Sequence, residues 1–396
     1  MAKNKAITRK QKRKAKKRLF LIIIVSSFLF ISLFILFFFL KTQYDNSFHR
    51  KSSITEVPSS ENNKPENIPQ EPEITEPKVD KEEIVLSATG DVLIGTDPRF
   101  KYEDTLVNTF KNMSSDYSYF MKNVKDIFEA DDITIVNLEN PLTNSNSMVE
   151  KEYAFKGPMD FAKILKEGKI DGVNLSNNHI YDFGNIGFCD TLATLNKESI
   201  NYFGENNIWR TEIKGIKFAF LGYQGWWYDD STLKKIKNDI EILKNENRMV
   251  VINFHWGDEK EYYPNKVQQF LAKYSIDNGA DLIIAEHPHV VQGIEQYKGK
   301  FIAYSLGNFC FGGNRNPNDK RTFILQIKFL FEDNKLTSTG IRAIPCSITS
   351  VPEKNNYQPT PMIDADKNEF LKFLNGLSKG IEFNISDEFQ FLLKEQ

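Results

Sequence analysis

The chain has five histidines, and four of them fall in three short stretches: Ser176-Asn177-Asn178-His179, Asn253-Phe254-His255-Trp256-Gly257 and Glu286-His287-Pro288-His289. Each stretch follows an apolar run that reads as a buried strand, so the four rings are expected to meet at one edge of a sheet. Imidazoles gathered that way, with carboxylates beside them, make a divalent metal site. Two acids are placed to supply the charge. Asp91 ends the run Ala88-Thr89-Gly90-Asp91, and Glu139 ends Asn137-Leu138-Glu139. A carboxylate after Ile133, Ile135 and Val136 is costly to desolvate unless it is paired or ligated. Singly, Asp91 also reads as a turn or helix-cap residue, Glu139 as an ordinary loop acid and His255 as a satisfied core ring.

The stretch Asn177-Asn178-His179-Ile180-Tyr181-Asp182 is more specific. The Asn178 side-chain oxygen can ligate a metal, His179 can stand beside a bound substrate as proton donor, and Asp182 can hold that ring in one tautomer. His287 and His289 lie two apart. In an extended segment that spacing puts both rings on one face, within reach of two adjacent ions. Trp256, directly after His255, reads as part of the rim.

The positioning elements follow from apolar periodicity. Strands are expected over Ile84 to Ala88, Ile133 to Leu138, Val173 to Leu175, Ile216 to Tyr223, Met249 to Phe254 and Leu282 to Ala285. Helices are expected over Tyr117 to Phe128, capped by Ser114 or Ser115, and over Pro158 to Glu167, Gly187 to Lys197, Thr232 to Asn245 and Asn265 to Asn278. The last third turns strand-rich, with runs over Val290 to Tyr297, Lys300 to Ser305, Thr322 to Phe331 and Leu336 to Ile344. Phe370 to Leu374 and Phe389 to Leu393 read either as short helices packing back on the domain or as parts of a loosely held tail. The layout is mixed α/β, with two packed sheets flanked by helices.

Residues 1–18 form a basic tail with ten Lys or Arg and no acid, and residues 19–40 are apolar apart from three serines. About twenty such residues span a bilayer, and no cleavage-site pattern follows, so an uncleaved single-pass anchor is expected. The positive-inside rule keeps the tail cytoplasmic and places the rest outside the cell membrane. Residues 41–81, rich in Pro, Glu, Asn and Ser, read as a disordered extracytoplasmic linker. A folded domain over 82–350 and an extension over 351–396 complete the chain. The net charge of −2 includes that basic tail. The remainder is therefore acidic, which argues against nucleic acid and a broad polyanion-binding face and leaves any anionic substrate to be held locally. Three cysteines, Cys189, Cys310 and Cys346, without CxxC spacing argue against a disulfide framework.

Gly90-Asp91, Asn137-Leu138-Glu139, Asn177-Asn178-His179, His255-Trp256-Gly257, His287-Pro288-His289-Val290 and Tyr304-Ser305-Leu306-Gly307-Asn308-Phe309 together resemble the motif series of the CapA family of poly-γ-glutamate capsule biosynthesis proteins. That family resembles the calcineurin-like metallophosphoesterases. The resemblance implies a four-layer αββα sandwich of metallophosphoesterase type, preceded by one transmembrane helix. It implies one or two divalent ions (Mn, Zn or Fe): Asp91 on one, Glu139 bridging, Asn178, His255 and His287 on the second, His289 returning to the first. His179, oriented by Asp182, would be the proton donor, and Trp256 and Asn308 would lie beside substrate. The implied partners are the membrane, membrane-bound polymer synthetase or export subunits, and an anionic polymer such as poly-γ-glutamate. The implied activity is that of a metal-dependent hydrolase or transferase. A non-catalytic polymer-binding subunit and a cell-surface metallophosphoesterase are the alternatives. Three departures stand out: Leu93 occupies the place where the phosphoesterases carry a ligating His, Glu139 the place where they carry an Asp after Gly, and Thr96 the place of an Arg frequent in the family.

Overall fold

Central strands buried at every position dictate a layered architecture, with both faces of each sheet covered. The computed structural model describes residues 80–392. The expected basic tail, membrane span and nearly all of the linker lie outside them. Among the described residues no helix is long and apolar enough to cross a membrane. The strands are β1 (Lys81–Leu93), β2 (Ile133–Leu138), β3 (Gly172–Asn174), β4 (Asn201–Phe203), β5 (Trp209–Ile213), β6 (Ile216–Gly225), β7 (Met249–Trp256), β8 (Leu282–Glu286), β9 (Ile294–Tyr297), β10 (Lys300–Ala303), β11 (Asn308–Phe311), β12 (Arg321–Glu332), β13 (Lys335–Ser347), β14 (Thr360–Pro361) and β15 (Gln390–Phe391).

They form two sheets. The larger runs β14-β13-β12-β1-β2-β3-β4, with β11 on β1 and β15 on β13; the smaller runs β5-β6-β7-β8-β10-β9. Leu86, Ile135 and Leu325 from the first sheet share a core with Phe218, Val251 and Ile284 from the second. The opposite face of the first sheet, with Val136, Val173 and Ile324, packs on Ile164 and Leu165 of the helix Ala162–Glu167 and Leu195 of the helix Gly184–Lys197. The opposite face of the second, with Val250, Ile252 and Ile283, packs on the helices Asp230–Asn245 and Lys266–Asp277. The order is helix, sheet, sheet, helix.

A period of two decides what each strand sends between the sheets. On β2, Ile133 and Ile135 face the shared core, so Asn137 and then Glu139 follow on that side. On β7, Val251 faces the core and Asn253 and His255 follow; on β8, Leu282 and Ile284 are followed by Glu286. Apolar residues therefore fill the middle of the sandwich and polar ones its end, at the carboxyl ends of parallel strands, where open α/β sheets place their sites. β1 needs a correction to join them. Ile84, Leu86 and Ala88 face the shared core, yet Val92 packs on the helix side. The register shifts between Ala88 and Asp91, and a bulge of that kind flips the pleat so that Asp91 points between the sheets.

Three expectations change. The helix expected over Tyr117 to Phe128 is instead a 3-10 turn, Tyr119–Met121, and a short helix, Lys125–Glu129. Ser114 and Ser115 both take left-handed backbone (φ 57°) and cap nothing, while Asp116 accepts from the Ser118 N–H at 2.9 Å. Phe389 to Leu393 is not helical: β15 pairs antiparallel with β13. The extension beyond residue 350 also sends Phe370 and Leu374, on the helix Asp364–Leu377, into the core between the sheets, so as far as residue 392 it completes the sandwich.

Gly90 holds the bulge against a neighbouring segment. A Cβ there would lie 1.8 Å from the Gly307 carbonyl oxygen, which accepts the Asp91 N–H at 2.9 Å. Gly90→Ala is expected to destabilise the protein by about 1–3 kcal/mol, the usual cost of overpacking. Denaturant melts check this, and an unchanged midpoint would contradict the packing account.

Candidate metal centre

Glu139 is fully buried, and neither of its carboxylate oxygens has a hydrogen-bond partner. Around it stand the other expected donors. His255 Nε2 lies 3.5 Å and His289 Nε2 3.8 Å from Glu139 Oε1. Asp91 Oδ1 lies 3.8 Å from His255 Nδ1, and Asp91 Oδ2 lies 3.3 Å from His289 Nδ1. Ligand atoms of Asp91, Glu139 and His255 fall within 4.8 Å of one another, as do those of Glu139, His287 and His289. Glu139 is common to both groups. A buried carboxylate without donors, ringed by imidazoles and a second acid, is a donor set that fits a divalent cation.

The asparagines fix the geometry. The Asn137 amide donates to Asp91 Oδ1 at 2.8 Å and lies 3.2 Å from His255 Nδ1. Its own oxygen accepts from Asn174 and Asn177, each at 3.2 Å, which sets which way the amide faces. Asn177 also donates to the Leu138 carbonyl at 2.8 Å and accepts the His179 N–H at 3.1 Å. Asn178 Oδ1 lies 2.9 Å from His255 Nε2, and His287 Nδ1 lies 3.2 Å from that same nitrogen. Asn308, opposite Asp91 in the β1–β11 register, places its oxygen 2.9 Å from His289 Nδ1.

The His287-Pro288-His289 segment is not extended. φ is 98° at His287 and 57° at His289, left-handed backbone that side chains with a Cβ rarely adopt and that tends to occur at functional sites. The rings still converge, with centroids 5.5 Å apart, but a turn after β8 brings them together. The His287 N–H donates to Asp91 Oδ2 at 3.2 Å and ties that turn to the other sheet.

Burial sets the protonation states. It pushes Glu139 well above the usual carboxylate range, reinforced by Asp91 and opposed by His289. It holds His255 well below the ordinary imidazole value and His287 down to about 3, with the neighbouring rings adding to both. At His289 burial also works against the charged ring, but Glu139 and Asp91 together outweigh it and lift the group to about 10. Glu286 is fully buried behind this cluster. One of its oxygens accepts from Asn253 at 3.1 Å, and burial followed by the Asp91 charge raises it well above the carboxylate range.

Beside the cluster, His179 Nδ1 lies 2.7 Å from Asp182 Oδ2, which leaves Nε2 as the ring's other polar atom. Asp182 also accepts from the Phe155 N–H at 2.7 Å and from Lys151 Nζ at 2.8 Å. The Phe155 ring meets His179 edge-on, with centroids 4.7 Å apart. His179, His289 and Asn308 all line one cavity of about 1150 Å³.

Asp91, Glu139, Asn178, His179, Asp182, His255, His287, His289 and Asn308 are thus brought together, and Trp256 is not. Trp256 is fully buried on the helix side of β7, stacked on Phe254 at 4.4 Å, and donates to the Tyr304 carbonyl. The pleat that turns His255 inward turns Trp256 outward. Trp226, just past β6, stands at the site instead, its ring 4.4 Å from His287 and 5.7 Å from His255. Asn137 and Lys151 are two further members to which the sequence reading assigns no role. Asn137 is legible from its parity with Glu139, whereas nothing local marks Lys151, 31 residues from its partner.

A pH test follows from His287. The unfolded chain takes up a proton on this histidine near pH 6.5, whereas the folded protein refuses it until about pH 3. Its contribution to stability is therefore complete above about pH 6.5 and is lost as pH falls toward 3. His287→Gln is expected to remove about one proton from the pH dependence of unfolding between about pH 6 and 4. Denaturant melts with a chelator present measure it, and an unchanged slope would contradict a buried neutral ring.

The comparisons with known proteins bear on this arrangement. A family model described as bacterial capsule synthesis protein PGA_cap matches residues 85–313. The PGA biosynthesis protein CapA of Bacillus subtilis (strain 168) is 32% identical over 251 residues, 57% of this chain and 63% of that one. The capsule biosynthesis protein CapA of Bacillus anthracis is 29% identical over 259 residues, 59% of this chain and 61% of that one. A probable polyglutamine synthesis accessory protein of Mycobacterium tuberculosis is 24% identical over 210 residues, 45% of this chain and 55% of that one. The chain therefore spans less than two thirds of the length of the curated relatives it matches. A solved structure from Thermus thermophilus aligns at TM-score 0.34 and 11% identity, over 65% of this chain and 99% of that one, too distant to bear on fold or chemistry. With the match running from within β1 to Gly313, and so across Asp91, Glu139, His179, His255, His287 and His289, the chain belongs to the bacterial capsule synthesis protein PGA_cap family.

Proposed function

We propose that this protein is a membrane-anchored, outward-facing component of poly-γ-glutamate capsule or surface-polymer biosynthesis, export or anchoring, with a metal-dependent hydrolase or transferase site of metallophosphoesterase type. The observation that carries the reading is the bare Glu139 carboxylate shared by two donor groups, with a histidine–carboxylate pair next to it. The relatives, a PGA biosynthesis protein and a capsule biosynthesis protein, supply the polymer. The apolar segment 19–40 and its basic flank supply the anchor.

Asp91, Glu139, Asn178, His255, His287 and His289 would hold one or two divalent ions, with Mn, Zn or Fe suited to this imidazole and carboxylate set. Such ions, when bound, stabilise charge developing on an attacked phosphoryl or acyl centre. The chain's own residues do the rest. Asp182 accepts from His179 Nδ1 and favours the doubly protonated ring against the burial that disfavours it, and that ring can give its Nε2 proton to a leaving group. Lys151 and the Phe155 N–H hold Asp182 in place for that task. Asn308 orients His289 in the same manner, as ligand histidines are usually held. The partners in this reading are synthetase or export subunits in the membrane and the anionic polymer itself.

A second reading, a polymer-gripping subunit without catalysis, is favoured by Leu93. It packs with Phe155 and Phe311 in a small apolar cluster and offers no ligand.

The two readings separate in a polymer-producing bacterium whose own family member is replaced by variants of this chain. His255→Ala is expected to lower both bound metal and polymer output. His179→Ala is expected to keep the metal and cut output by about 10²–10⁴-fold, the usual worth of a positioned acid. Full output from His179→Ala would remove catalysis from the account and leave gripping.

A further inference from the structure

The cavity above the cluster holds far more than one small anion. At about 1150 Å³ it exceeds the roughly 300–1,000 Å³ typical of a small-molecule pocket. Its lining differs in character from place to place. Part is aromatic: Phe100, Tyr153 and Phe155 pack on one another with centroids 6.3–6.4 Å apart, and Phe155 leads to His179. Another part is cationic, in a domain that is otherwise acidic.

Lys101, Lys260, Arg315, Lys320 and Arg321 line the cavity against only Glu259 and Asp319. Asp319 is already answered, since it takes two bonds from Arg321, at 2.9 and 2.8 Å, and one from Tyr262 at 2.8 Å. The ammonium groups of Lys101, Lys260 and Lys320 have no ion pair or hydrogen bond among the described residues. Lys260 is fixed to the turn that carries His287 and His289. Its backbone is left-handed, φ 66°, and its N–H donates to the Pro288 carbonyl at 2.8 Å.

We infer that this cavity is a subsite for several consecutive units of a polycarboxylate chain, gripped by Lys101, Lys260 and Lys320. The inference rests on the functional reading above and adds where and how the polymer is held. Unpaired cations around one concave mouth focus potential on anions. The aromatic lining favours carboxylates carried on methylene stems over a hydroxyl-rich phosphodiester chain. One end or bend of the chain then reaches His179 and His289, which line the same cavity.

The test measures binding of γ-linked glutamate oligomers, from one to about ten units, to the full chain in detergent by calorimetry. Affinity is expected to rise with length to a plateau. Lys101→Ala/Lys260→Ala/Lys320→Ala together are expected to weaken the longer oligomers by about tenfold, consistent with exposed ion pairs of modest individual worth, and to reduce the salt dependence. The triple Lys→Arg variant should bind like wild type, which separates charge from folding. Length-independent affinity, unchanged binding by the triple alanine variant, or tighter binding of glycerol-phosphate oligomers would overturn the subsite. Metal content read on the same samples keeps the two ideas apart. Lysine-dependent binding in a chain that takes up no metal upholds the subsite and sinks the metal-site reading. Metal uptake with binding indifferent to the lysines does the reverse.

Discussion

A carboxylate buried between two sheets with no donor on either oxygen is the constraint from which the rest of this structure follows. Removing an ionised carboxylate from water costs several kcal/mol even after relaxation, and Glu139 has no hydrogen bond to offset it. The surroundings are nonetheless organised. Asn137, oriented by Asn174 and Asn177, serves Asp91 and borders His255. The turn bearing His287 and His289 is held in left-handed backbone and bonded across the sandwich to Asp91. An arrangement that carries desolvation and backbone strain together calls for something bound there to compensate, and a cation answers both the charge and the geometry.

Much of this is legible in the sequence, because the fold is built from periodic strands. Ile133 to Leu138 matches β2 at both ends, and the parity of Ile135 with Glu139 and of Val251 with His255 carries each donor to the inner face. The same parity forbids Trp256 at the site, and reading it as a rim residue neglects the pleat. Three features need the third dimension. The β1 bulge that re-aims Asp91 depends on close approach to Gly307, far away along the chain. The turn at His287 and His289 departs from the extended form that their spacing suggests. Lys151 reaches Asp182 from a loop without periodic pattern. Local pattern sets faces, whereas long-range contact sets bends.

The site is also asymmetric in a way that suits a chain-like anion. The hydrogen-bonded pair, His179 and Asp182, lies beside the aromatic lining, where Phe155 meets the ring. The cations line the same cavity together with the loop that precedes β12. A polymer of one sign would be guided by charge and laid against rings, and it would meet the buried donors only at its reactive unit. In the proposed reading this division would let an acidic domain hold an acidic polymer without a broad basic face.

The central claim is that Glu139 joins two donor groups into one divalent metal centre. It is tested most directly by elemental analysis of the full chain, dialysed against Mn, Zn or Fe, beside Glu139→Gln. The account predicts one or two ions per wild-type chain and near-complete loss in the variant. A wild-type chain that retains no ion, or a Glu139→Gln chain that retains as many as wild type, would contradict it.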